Sequence, residues 1–136
     1  MIVIRYMSSI AFVFAALFLA VLPSLAVAQT NLVTTEDPSV TRRALEWFER
    51  AQNGDIDQSQ IAAGVAAKFT PQVTASLKNQ LTPLGKPLGI AFGGARPEAG
   101  SMVYRYVLAF AVGSIQEYVS FDPNGKLSGL VFAKNS

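Results

Sequence analysis

The chain has 136 residues, with 11 Lys and Arg against 9 Asp and Glu, no His and no Cys. Without His it lacks the usual general base, the commonest metal ligand and the simplest pH switch, and without Cys it has no disulfide and no thiol for lipid attachment. A charge balance this even gives no electrostatic support for binding nucleic acid, and no metal or cofactor is expected.

Residues 1–28 read as a cleavable secretory signal. Arg5 gives a short basic start, and the run IAFVFAALFLAVL over residues 10–22 carries no charge. Pro23 and Ser24 break the helix, and Ala26-Val27-Ala28 is the small-x-small pattern a signal peptidase needs. The apolar run spans roughly 20 Å as a helix, against a hydrocarbon core of about 30 Å, so it is too short for a comfortable membrane anchor. Cleavage after Ala28 leaves about 108 residues, one domain's worth, with 10 basic groups against 9 acidic ones once Arg5 is gone. The mature protein is expected in the periplasm or outside the cell, with no membrane contact after cleavage.

Residues 29–37 are polar and aperiodic and read as a flexible lead-in to a single domain over 38–136. Asp37-Pro38-Ser39 marks a helix start. The first helix is expected over 40–51, with Ala44, Trp47, Phe48 and Ala51 on one face at i, i+3, i+4, i+7 spacing. Asn53-Gly54 ends it. Asp57 followed by Gln60 resembles a capping box, and a second helix is expected over 59–68 with Ile61, Val65 and Phe69 inward. Thr70-Pro71 starts a third over 71–81, with Val73, Leu77 and Leu81 inward.

From Leu84 onward Gly, Pro and β-formers take over. A strand is expected over 88–92, then a Gly-rich mobile loop over 93–100 (GGARPEAG). That loop lacks the spacing and the following Lys-Ser/Thr of a phosphate-binding loop. Alternation predicts strands over 102–111, 114–121 and 126–133, joined by a Val112-Gly113 turn and by the strong hairpin signal Asp122-Pro123-Asn124-Gly125. A two-residue turn at Val112-Gly113 sets Phe110 opposite Ile115, Leu108 opposite Glu117, Tyr106 opposite Val119 and Tyr104 opposite Phe121. One nearly apolar face results, and a one-residue slip would scramble it. The helices should cover that face. The expected fold is α+β: three N-terminal helices packed on a curved antiparallel sheet of about four strands.

Leu84-Gly85, Leu88-Gly89-Ile90-Ala91-Phe92, Val103-Tyr104, the stretch from Val119 through Asp122-Pro123-Asn124-Gly125-Lys126, and Gly129-Leu130 together resemble a small exported bacterial domain of the cystatin-like, nuclear-transport-factor-like type. The resemblance covers residues 40–132. It implies a cone formed by helices and a bent sheet, in domains found alone or ahead of secreted serine hydrolases. It supplies no catalytic or cofactor residue. The wider fold includes ketosteroid isomerases and polyketide cyclases beside many non-catalytic binding domains, so fold alone assigns no activity.

No Ser-x-x-Lys or Gly-x-Ser-x-Gly motif is present, so chemistry would rest on carboxylates, tyrosines and basic residues. Glu117 points into the apolar face. As a general base near neutrality its pKa would have to rise by about 2–3 pH units, at roughly 1.4 kcal/mol each. Tyr104, Tyr106 and Tyr118 would then orient a substrate. The plainer expectation is that Glu117 lies at the open end of the sheet and reaches water or a basic partner. Arg105, on the face opposite Tyr104 and Tyr106, is either an anion clamp or a solvated residue paired with a neighbouring acid. Trp47 and Phe48 are read as core packing. The preferred function is a non-catalytic module holding an envelope protein partner or a small apolar ligand, with Glu117, Tyr104, Tyr106, Tyr118 and Arg105 as candidate contacts. The alternative is a cofactor-free isomerase or cyclase using Glu117. Val107, Tyr118 and Arg105 on the outer sheet face are compatible with a homodimer.

Overall fold

The computed structural model describes residues 32–135; the signal-peptide reading of residues 1–28 lies outside the described residues. Three helical segments are followed by four strands: α1 (Pro38–Asn53), α2 (Ala63–Ala66), α3 (Pro71–Leu81), β1 (Gly89–Glu98), β2 (Ser101–Phe110), β3 (Gly113–Phe121) and β4 (Leu127–Lys134). The strands form one open antiparallel sheet in the order β1-β2-β3-β4. This is an α+β arrangement. Among the described residues no helix is long and apolar enough to cross a membrane.

α1 begins where Asp37 accepts a hydrogen bond from the Ser39 N–H at 2.9 Å, with Pro38 in the first turn. Its buried residues are Ala44, Trp47, Phe48 and Ala51, the face the spacing predicts. α3 has the predicted bounds, capped by Thr70 Oγ1 accepting from the Val73 N–H at 3.2 Å, and it buries Leu77 and Leu81. Both helices pack onto the sheet face carrying Tyr106, Leu108, Phe110, Ile115, Val119, Leu130 and Phe132. Arg43 ties α1 to the β3–β4 turn: it donates to the Gly125 carbonyl and lies 3.8 Å over the Phe121 ring.

The second helix differs from expectation. Residues 58–60 form a 3₁₀ turn and α2 is a single turn. Between them Ile61 is extended and bridges Leu127 in parallel, and the Ala62 N–H donates to the Leu127 carbonyl at 2.8 Å. The Ile61–Val65–Phe69 spacing fits a helix, but the backbone groups at 61–62 are used to cover the edge of β4.

β1 also runs further than expected. The segment read as a mobile loop is strand through Glu98, and Ala99 (φ 49°) with Gly100 (φ 82°) makes the tight turn into β2. Positive φ at both central residues suits a two-residue hairpin connection. Pro97 is tolerated because β1 is an edge strand. The lead-in is not wholly free either: Val33 pairs with Ala95 on the open side of β1 through hydrogen bonds of 2.6 and 2.9 Å.

The β2–β3 register is displaced by two residues from the one expected. Leu108 faces Ile115, Tyr106 faces Glu117, Tyr104 faces Val119 and Met102 faces Phe121. The turn is Ala111-Val112, and Gly113, with φ 141°, follows it instead of sitting inside it. A shift of two keeps every side chain on its predicted face and changes only its neighbour.

Candidate functional site

The five candidate contacts fall on two sides of the sheet. Glu117, Tyr104 and Tyr106 lie on the face covered by helices. Arg105 and Tyr118, which pair directly across β2 and β3, lie on the outer face. Tyr118 therefore cannot orient a substrate held at Glu117, and the five residues do not form one site.

On the covered face Glu117 is completely buried, between Tyr106 on β2 and Phe132 on β4. Neither carboxyl oxygen has a hydrogen-bond partner among the described residues. The expectation that it reaches water or a basic partner fails, because β4 and the helices enclose the middle of β3. Burial raises its pKa well above the ordinary 4.5, since the charged form would lose its hydration without replacement. Tyr106 is also fully buried; its phenol oxygen accepts a 3.3 Å hydrogen bond from Thr41 Oγ1. Burial pushes its pKa up to about 12. Tyr104 is half-buried on the same face.

The outer face is built differently. β1 carries a bulge at Gly93 and Gly94, and those two residues together oppose the single residue Arg105 on β2. Bulges of this kind re-aim side chains and concentrate beside functional sites. The Arg105 side chain folds back over the bulge, donating from Nη2 to the Gly93 carbonyl at 2.9 Å. A Cβ at position 93 would sit only 2.9 Å from the Arg105 Cζ, so this close approach requires glycine. Gly94, with φ 109°, adopts a backbone conformation that other residues resist.

A polar row fixes the far side of the guanidinium. Gln116 Oε1 accepts from the Tyr118 hydroxyl at 2.8 Å and, at 3.5 Å, from Arg105 Nη1. Gln116 Nε2 donates to Asn135 Oδ1 at 3.4 Å, and Asn135 donates to Ser114 Oγ at 2.7 Å. Arg105 forms no ion pair among the described residues. The ion pair near it joins Arg96 Nε to Glu98 Oε1 at 2.7 Å. Arg105, Arg96, Val103, Tyr118 and Leu32, together with the Gly93–Ala95 backbone, line an open cleft of about 310 Å³. Two wider depressions lie beside α1 and α3, and Glu117 lines none of the three.

Arg105 and its face are legible in the sequence. The bulge opposite it is not, because Gly93-Gly94 also reads as a loop. A glycine inside a strand pattern is the one signal that would have pointed to the bulge. Among the described residues there is no cluster of three or more His, Cys, Asp or Glu that could hold a metal. Comparison with protein families, curated proteins and solved structures returned no match.

Proposed function

We propose that this chain is an exported, non-catalytic binding module of the cystatin-like, nuclear-transport-factor-like type, holding its ligand or envelope partner on the outer face of the sheet. The observation that carries this reading is the Gly93-Gly94 bulge, which cradles an arginine with no acidic partner among the described residues at the mouth of an open cleft. The inner face is less suited to a ligand, because Phe48, Tyr106 and Phe132 are fully buried between helices and sheet. Export follows from the short apolar leader and its small-x-small end.

Native mass spectrometry of the protein taken gently from the envelope of its host tests this reading. The expected result is a chain beginning at Gln29 that carries a ligand or a partner, or that pairs with a second copy, with the bound species leaving on activation. A chain that is always bare and monomeric, and that captures nothing from the envelope, overturns it.

The buried Glu117 favours one other reading, a cofactor-free isomerase or cyclase. A carboxyl with a raised pKa suits proton transfer near neutrality. The enzyme reading requires that Glu117→Gln abolish turnover while the fold survives; turnover unchanged in that variant eliminates it.

A further inference from the structure

We propose that the cleft around Arg105 is a binding site for a small organic monocarboxylate whose body is apolar. The inference rests on reading the outer face as the binding surface and names the chemistry of what binds there.

Four observations point to that class. The first is the state of Arg105. Of the five N–H donors of a guanidinium, one is directed at the Gly93 carbonyl and one at Gln116, and no carboxylate meets the rest among the described residues. A half-buried cation without a counter-ion is poised to take an anion, and its planar fork matches a carboxylate in two parallel bonds. The second is the cleft's net charge. Arg96 is neutralised by Glu98, so one positive charge remains, which suits a monoanion.

The third is the wall. Leu32, Val103 and the Tyr118 ring supply apolar surface beside the guanidinium. The fourth is size. A volume of about 310 Å³ lies at the lower end for ligand pockets, which fits a small molecule better than a polymer.

Gly93 supplies a discriminating substitution. The atoms that a Cβ there would crowd are the tip of the flexible Arg105 side chain. Gly93→Ala should therefore displace the guanidinium while leaving the fold in place.

The experiment is a titration of the full mature chain with benzoate, followed by amide chemical shifts. Benzamide and inorganic phosphate serve as the neutral and the multiply charged comparisons. Benzoate is expected to bind saturably in the millimolar range, about −4 kcal/mol, and to shift the amides of Gly93, Gly94, Val103 and Tyr118. Benzamide and phosphate should bind at least about tenfold more weakly. Arg105→Gln and Gly93→Ala should each weaken benzoate by at least about tenfold while retaining the dispersed amide spectrum of a folded chain. Should Arg105→Gln fail to fold, Gly93→Ala carries the test.

Benzoate that causes no saturable shift at these amides, or that binds both variants as well as the parent, overturns the proposal. Phosphate binding as tightly as benzoate overturns the monocarboxylate class. A native ligand or partner found on the outer face that carries no carboxylate would sink this assignment but leave the binding-module reading standing. If nothing engages that face at all, both fall.

Discussion

Replacing Phe48 with alanine is expected to lower the unfolding free energy by about 3–5 kcal/mol. Phe48 has no exposed surface and packs against two other rings, Phe110 at 5.3 Å between centroids and Phe132 at 5.8 Å in an edge-on arrangement. Those rings sit on β2 and β4, on either side of β3, so Phe48 anchors α1 across the middle of the sheet. Truncation removes the burial of a whole ring and opens a hole that neighbours on two different strands cannot both collapse into. Domains of this size are stable by only about 5–15 kcal/mol, so the variant should lie near the edge of folding. Urea denaturation measures this directly, as a lower midpoint with an unchanged dependence on denaturant. A loss below about 1.5 kcal/mol would mean that α1 sits loosely on the sheet and that the space beneath it can rearrange. That result would bring back the interior as a place for a ligand.

What could be read ahead of the structure follows from what each pattern encodes. The buried face of α1 was legible because Ala44, Trp47, Phe48 and Ala51 meet a single period that no other element contests. The covered face of β2 and β3 was legible because side-chain alternation survives any even shift of register. The register itself was not, because Gly113 serves equally well inside a turn or just after one. Ile61 shows a limit of another kind. Its helical spacing is real, yet the backbone at 61–62 bonds to Leu127, a residue 66 positions later in the chain. No local pattern carries such a contact. The same limit separates Arg105 from its setting: its face is local information, whereas the bulge it folds over depends on how β1 pairs with β2. Glu117 fell between the two cases. Its inward direction was predictable, but its complete enclosure depends on Phe132 and on helices distant in sequence.

Glu117 also sets the expected pH dependence of stability. Below about pH 4.5, its ordinary pKa, the carboxyl is protonated in both the folded and the unfolded chain and contributes no slope. Above that value the unfolded chain releases the proton, while the buried group keeps it. The unfolded state then binds fewer protons, so stability must fall as pH rises, by up to about 1.4 kcal/mol per pH unit, until the folded-state pKa is reached. The other carboxylates with shifted values, Asp37 and Asp57, are held low chiefly by hydrogen bonds from Ser39 and Ser59. Both are ionised in either state between pH 5 and 8, and Tyr106 titrates far above that window. The parent protein should therefore lose stability as pH rises above about 5, until the raised folded-state pKa is reached, and Glu117→Gln should remove that slope. Glu117→Leu should remove it too and, by eliminating a buried polar group with no partner, add about 1–3 kcal/mol at pH 8. Urea denaturation at pH 5 and pH 8 separates these outcomes. A parent profile with no slope would mean that the carboxylate finds water or a cation in solution. Glu117 would then lie in an accessible interior, the condition that proton transfer by this residue requires. A steep profile abolished by glutamine marks it as a sealed neutral acid, which removes the interior carboxylate as a proton-transfer group and leaves the proposed binding surface around Arg105 as the remaining candidate site.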